Sequence, residues 1–203
     1  ALPTESISGN IEPPHYSELI EKTNELVPEA NRIAAESIKE YKLKQSKKDS
    51  GKVVWKATGK AMSVGLAAAT ASVSDSVFRT EIQRNMVKSI NETYSLNPTD
   101  SEKESVLDFL LNAGVITTLS KKLVGLLNKV KIPAIKYVAS PANSLVSGML
   151  TFGTGQAYIQ FVDGAARGKY EISDTSKLEE IIDDEAFNRA KGVLSDLVKD
   201  LPK

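Results

Sequence analysis

From Tyr137 to Val162 the chain carries no charged residue, although Lys, Arg, Asp and Glu make up 26% of the whole. A run of that length must be buried on every side, must enter lipid, or must do one and then the other. At ~100° per residue, a helix starting after Pro141 puts Leu145, Val146, Met149, Leu150, Phe152 and Ile159 on one side and Ser144, Ser147, Thr151, Thr154 and Tyr158 on the other. Neither side suits bulk water, so the pattern predicts a central helix packed all round by neighbours. From Pro141 to Val162 it would measure about 33 Å at ~1.5 Å per residue, long enough for a bilayer core of ~30 Å. The hydroxyl stripe, with Asn143, Gln156 and Gln160, argues against lipid, because polar side chains there require partners.

The remaining chain reads as helical throughout, since apolar residues recur at three and four and never alternate convincingly. Residues 1–14, with three prolines, form a loose lead-in, and a helical region from about Ser17 to Leu43 is expected to be split or restarted at Pro28. A polar, Lys-rich turn is expected around Ser46–Gly51. It precedes a small-residue helix from Val53 to about Ala71, where Ala61, Gly65 and Ala69 provide a close-packing face. Another helix runs from Ser74 or Asp75 to Tyr94, with Phe78, Ile82, Met86, Ile90 and Tyr94 inward. Thr99 and Glu102 form a capping-box pattern for the next, which stops at Gly114. A helix through Leu119, Leu123 and Leu126 closes at Pro133; the central helix ends near Gly164–Gly168, and two terminal helices follow, carrying Leu178, Ile181 and Ile182, then Phe187, Ala190 and Leu194.

Chemistry is sparse. There is no cysteine, and the single histidine, His15, sits in the lead-in, so no zinc site of Cys and His can assemble. Gly153 and Gly155 resemble the start of a dinucleotide loop, but the third glycine and a preceding strand are missing; Val54 occupies the place where a P-loop before Gly59-Lys60 needs glycine. The acidic run Glu179, Glu180, Asp183, Asp184, Glu185 matches no calcium loop and reads as a solvated helix face. Catalytic, cofactor-binding and metal-binding residues are therefore all expected to be absent. With 26 basic against 26 acidic residues, no global field favours nucleic acid.

Two constellations stand out. Asp75, Arg79 and Gln83 recur every four residues within an apolar arc and could extend toward Gln156 or Gln160 on the central helix, either as a structural polar ladder or as a small ligand pocket. Lysines at 42, 44, 47, 48, 52, 56 and 60 lead into the small-residue helix with Trp55 among them; this is either a solvated linker or a face for an anionic membrane, carried by Lys48, Lys52, Trp55, Lys56 and Lys60.

About half the chain, from Ala67 to Gly168, resembles the YcjF-like, GTPase-associated helical family of unknown function. The resemblance rests on Asp75, the Gln83-Arg84-Asn85-Met86 stretch with Ile90 and Tyr94, Lys131-Ile132-Pro133 before the long helix, and Thr151-Phe152-Gly153-Thr154-Gly155-Gln156-Ala157-Tyr158. It departs where Ala134-Ile135-Lys136-Tyr137 replaces the family's glycine-rich turn. The family brings no catalytic residues; the resemblance implies association with a separate GTPase, often near membranes.

The sequence thus predicts an all-α fold, a single compact multi-helix bundle around a charge-free helix at about 141–163. Residues 1–50 form a lead-in and N-terminal helical arm packed on it, and residues 51–203 form the bundle. The expected role is a non-enzymatic interaction or adaptor module acting with a protein partner, a GTPase or membrane-associated protein. The alternatives are a reversibly inserting or pore-type membrane-acting protein and a carrier of a small amphipathic ligand between the Gln83 and Gln156 faces. The expected location is cytoplasmic, with a peripheral position at a membrane as its variant. The N-terminal residues lack the basic start and apolar run of a secretory signal.

Overall fold

The computed structural model describes residues 16–68, 75–111, 113–129 and 139–199, and the fold is all-α, with no strand among them. The elements in order are α1 (Tyr16–Ala68), α2 (Asp75–Thr93), α3 (Asp100–Leu110), α4 (Ala113–Lys129), α5 (Ala139–Ala166), α6 (Thr175–Ile181), a π-helical turn (Ile182–Ala186) and α7 (Phe187–Lys199). The lead-in with His15, the Lys131-Ile132-Pro133 segment and Tyr137 lie outside the described residues.

The chain divides into two units, 1–42 and 43–203. In the first, the described part of α1 carries Leu26, Val27, Ile33, Ile38 and Tyr41 exposed. Pro28 lies inside the helix and does not end it. Directly after it, Arg32 bridges Glu29 and Glu36 at 2.6 and 2.7 Å, the three- and four-residue spacing that supports a helical turn.

The second unit begins at Leu43, and within it the segment read as a Lys-rich turn is helical. Its polar residues have helical partners: Gln45 donates to Asp49 at 2.9 Å and Lys52 pairs with Asp49 at 2.8 Å. On the inward side Ser46 donates to the Thr93 carbonyl at 2.6 Å, and the Ser50 and Thr93 hydroxyls are bonded. These contacts satisfy groups at the C-terminal end of α2 that its own helix leaves open. That end closes with Ser95 at φ 55°, where Leu96 N–H bonds the Asn91 carbonyl at 3.0 Å. α3 opens with the expected capping box: Thr99 Oγ1 accepts from Glu102 N–H, and Glu102 accepts from Thr99 N–H.

α5 is the core. Both of its predicted sides face inward: on one, Met149, Leu150, Phe152 and Ile159 are buried and Leu145 and Val146 half-buried, and on the other Ser144, Ser147, Thr151, Thr154 and Tyr158 are buried. It begins at Ala139 with Pro141 in its first turn, where a missing N–H costs no helical bond. It packs against α2, α4, α6, the π turn and α7. The second half of α1 reaches it too, for Ser144 donates to the Met62 carbonyl at 2.6 Å and a Cβ on Gly155 would lie 2.7 Å from a Val54 methyl and 2.8 Å from Met86 Sδ. Ala61 and Gly65 are buried on α1 as expected, but the glycines that α1 itself abuts, Gly148 and Gly155, are on α5. Gly153 and Gly155, which in sequence resemble a nucleotide loop, are helix-packing positions. α5 ends at Ala166, and Gly168 just beyond it, with a φ of +72°, reverses the chain while Lys169 N–H bonds the Gly164 carbonyl at 3.0 Å.

Three tyrosines, Tyr94, Tyr158 and Tyr170, have their ionisation pushed upward, mainly by burial. A raised folded-state value means that the fold disfavours tyrosinate, so the full stability is present below the ordinary value of about 10 and is lost as pH rises above it. The last part of the rise in tyrosinate absorbance in an alkaline titration should therefore coincide with loss of far-ultraviolet circular dichroism. Ionisation of all six tyrosines with helicity intact would contradict this.

Candidate functional site

Because α1 runs without a break through residues 46–51, the lysines at 48, 52, 56 and 60 share one helical stripe, each ~40° from the last. All four are exposed. Among the described residues, Lys52 is tied to Asp49, whose carboxyl it holds below the usual range, and Lys48, Lys56 and Lys60 form no ion pair. Trp55 lies beside them, 56% exposed, with its ring centroid 4.8 Å from that of Phe152 on α5. The contact fixes the indole at the edge of the core while leaving most of it outward. The surface therefore sets an amphipathic ring beside a row of ammonium groups.

Lys56 and Lys60 also form one wall of a groove of about 610 Å³ between α1 and α2. Its floor is apolar, including Ala57, Val64, Ile82 and Met86, and its other wall carries Glu81, Asn85 and Ser89. The volume lies within the ~300–1,000 Å³ range of small-ligand sites. Sequence reading missed this groove because its walls come from two helices whose relative placement no periodicity reveals.

The polar ladder resolves differently from its linear spacing. The side chains of Asp75 and Arg79 lie outside the described ones. Gln83 Nε2 points at α5, 3.5 Å from Thr151 Oγ1 and 3.4 Å from Thr154 Oγ1. Gln156 lies roughly 140° and 200° around α5 from those threonines, so it is not Gln83's partner. Gln160 instead lines a separate charged cleft of about 490 Å³ with Lys47, Asp163, Lys169, Lys177 and Glu180. Gln83 Oε1, Thr58 Oγ1 and Ser147 Oγ are buried without a protein partner among the described residues.

One α2–α5 pair was not foreseen: Tyr158 donates its hydroxyl to Asn91 Oδ1 at 2.9 Å, both residues being buried. The signal was present, since Asn91 follows Ile90 on the apolar side of α2, but an asparagine there has no partner until α5 is in place. Part of the acidic run gathers on the charged cleft: Asp184 and Glu185, from the π turn, line it together with Glu180, which pairs with Lys177 at 2.5 Å. Among the described residues no group of three or more His, Cys, Asp or Glu is placed to hold a metal ion, and no helix is long and apolar enough to cross a membrane.

Compared with known proteins, this chain matches no family model, no curated protein and no solved structure.

Proposed function

We propose that this protein is a non-enzymatic helical interaction module that attaches peripherally to an anionic membrane surface through Lys48, Lys52, Trp55, Lys56 and Lys60. A protein partner would be met there, and the resemblance to the GTPase-associated helical family makes a separate GTPase the first candidate. The observation that carries the reading is the exposed lysine stripe with the half-seated Trp55 on a segment of α1 that is helical and anchored to α2 through Ser46 and Ser50. A solvated linker has no reason to hold four ammonium groups in register. Each lysine near an anionic surface contributes on the order of 1 kcal/mol, and the attraction decays over about 8 Å at physiological salt. The burial of α5 on both sides supports attachment from outside over insertion of that helix.

Wild-type protein should sediment with vesicles rich in phosphatidylserine at low salt and be released as salt rises. The K48Q/K52Q/K56Q/K60Q variant should lose sedimentation while keeping its helical circular dichroism, because exposed charges contribute little to folding. Trp55 fluorescence should shift to the blue on binding by the wild type. Sedimentation that survives in the quadruple variant, or wild-type protein that never binds, would remove the membrane reading and leave a protein surface as the partner.

A further inference from the structure

We propose that the cleft between α2 and α3 is a binding site for a phosphate monoester. The cleft holds about 270 Å³ and is lined by Arg84, Val87, Lys88 and Asn91 of α2 and by Lys103, Glu104 and Leu107 of α3. Positions 84, 88 and 91 fall on one face of a helix, so a guanidinium, an ammonium and a carboxamide open on the same space. Lys103 adds a second ammonium from the facing helix.

Three features distinguish this arrangement from a solvated charged surface. Arg84 and Lys88 make no ion pair among the described residues, and Lys103 is bound only to Asp100, at 3.0 Å, in an exposed three-residue spacing of the kind that exchanges readily. Three cations therefore line the cleft against one carboxylate, Glu104. Asn91, in contrast, is 4% exposed, and its Oδ1 is held at 2.9 Å by the hydroxyl of Tyr158, itself 1% exposed. With its oxygen committed to the core, the carboxamide presents its NH2 to the cleft it lines, a fixed donor at the bottom of a cationic rim. A tetrahedral oxyanion uses all of these groups: the Arg84 fork takes two oxygens, the ammoniums take charge, and the Asn91 amide donates to a third oxygen. Val87 and Leu107, 2% and 4% exposed, close the inner side of the cleft, and the carbon of an ester would lie along that apolar edge, a contact free phosphate does not use.

The test is side-chain and backbone amide NMR on the full chain, titrated with inorganic phosphate and then with glycerol 3-phosphate, against sodium chloride at matched ionic strength. The Asn91 Nδ2 resonances should shift saturably with both phosphates and more tightly with the ester. R84Q and K88Q, changes at exposed positions, should each weaken binding at least tenfold, whereas K121Q on α4 and K48Q/K52Q/K56Q/K60Q on α1 should leave it unchanged. Vesicles of phosphatidic acid separate a lipid headgroup from a free ester: a headgroup site loses vesicle binding in R84Q even where the α1 stripe is intact. Equal shifts with chloride, or phosphate affinity unchanged in both R84Q and K88Q, would overturn the site.

Discussion

Phe161→Ala is expected to lower the unfolding free energy by about 3–5 kcal/mol, the usual cost of emptying a buried aromatic position. Phe161 is fully buried, its ring 5.3 Å from Tyr170 and 6.1 Å from Tyr158, and it ties the C-terminal half of α5 to the turn that follows. The backbone carbonyl of Phe161 also accepts from the Tyr170 hydroxyl at 3.0 Å, so a cavity there loosens a ring that caps the end of α5. For a chain of this size the loss corresponds to a melting temperature lower by roughly 6–20 °C. Since whole domains are stable by only ~5–15 kcal/mol, the loss would take a large share of the total. Val124→Ala, at a position 45% exposed on α4, should shift stability by less than ~0.5 kcal/mol. Comparable losses for the two in chemical denaturation would contradict the placement of the core.

The second large effect concerns a single methyl group. A Cβ at Gly153 would collide with the carbonyl oxygen of Ala186 and lie 3.1 Å from its carbon. These are backbone atoms of the π turn, which cannot rotate away as a flexible side chain can. Gly153→Ala should therefore cost about 1–3 kcal/mol or more despite alanine's better helix propensity. Gly125→Ala on α4, where an added Cβ meets nothing within 4 Å, should gain roughly 0.5–1 kcal/mol. The two substitutions are chemically identical, so opposite signs in parallel urea titrations isolate the packing contribution. Equal gains would mean that α5 and the π turn are farther apart than described.

Elements carried by local physics were legible in the sequence. The Thr99–Glu102 box and the inward placement of both sides of α5 each depend on residues within a few turns of one another. What escaped were contacts between distant parts. Ser46 to Gly51 looks like a turn because its residues are polar, and only the groups at the end of α2 show why they belong in a helix. Gln83 and Gln156 each looked like core polar residues, but which side of α5 faces Gln83 was set by the packing of α2, which spacing does not encode. For the candidate site, the lysine register was readable, whereas the groove beside it and the Asn91 cleft exist only once two helices stand together.

The helix that fills the centre is also one of the last to be made. α5 spans Ala139–Ala166, while partners such as Val54, Met62 and Met86 lie some 60 to 100 positions earlier in the sequence. Until the ribosome has passed Ala166, those earlier helices have made their inward faces but not the element that covers them. Contacts so far apart along the chain form slowly, and exposed apolar faces associate with one another while they wait. A nascent chain of this protein is therefore most vulnerable in the interval between release of α2 and arrival of α5, when a holding chaperone would find its binding surface ready.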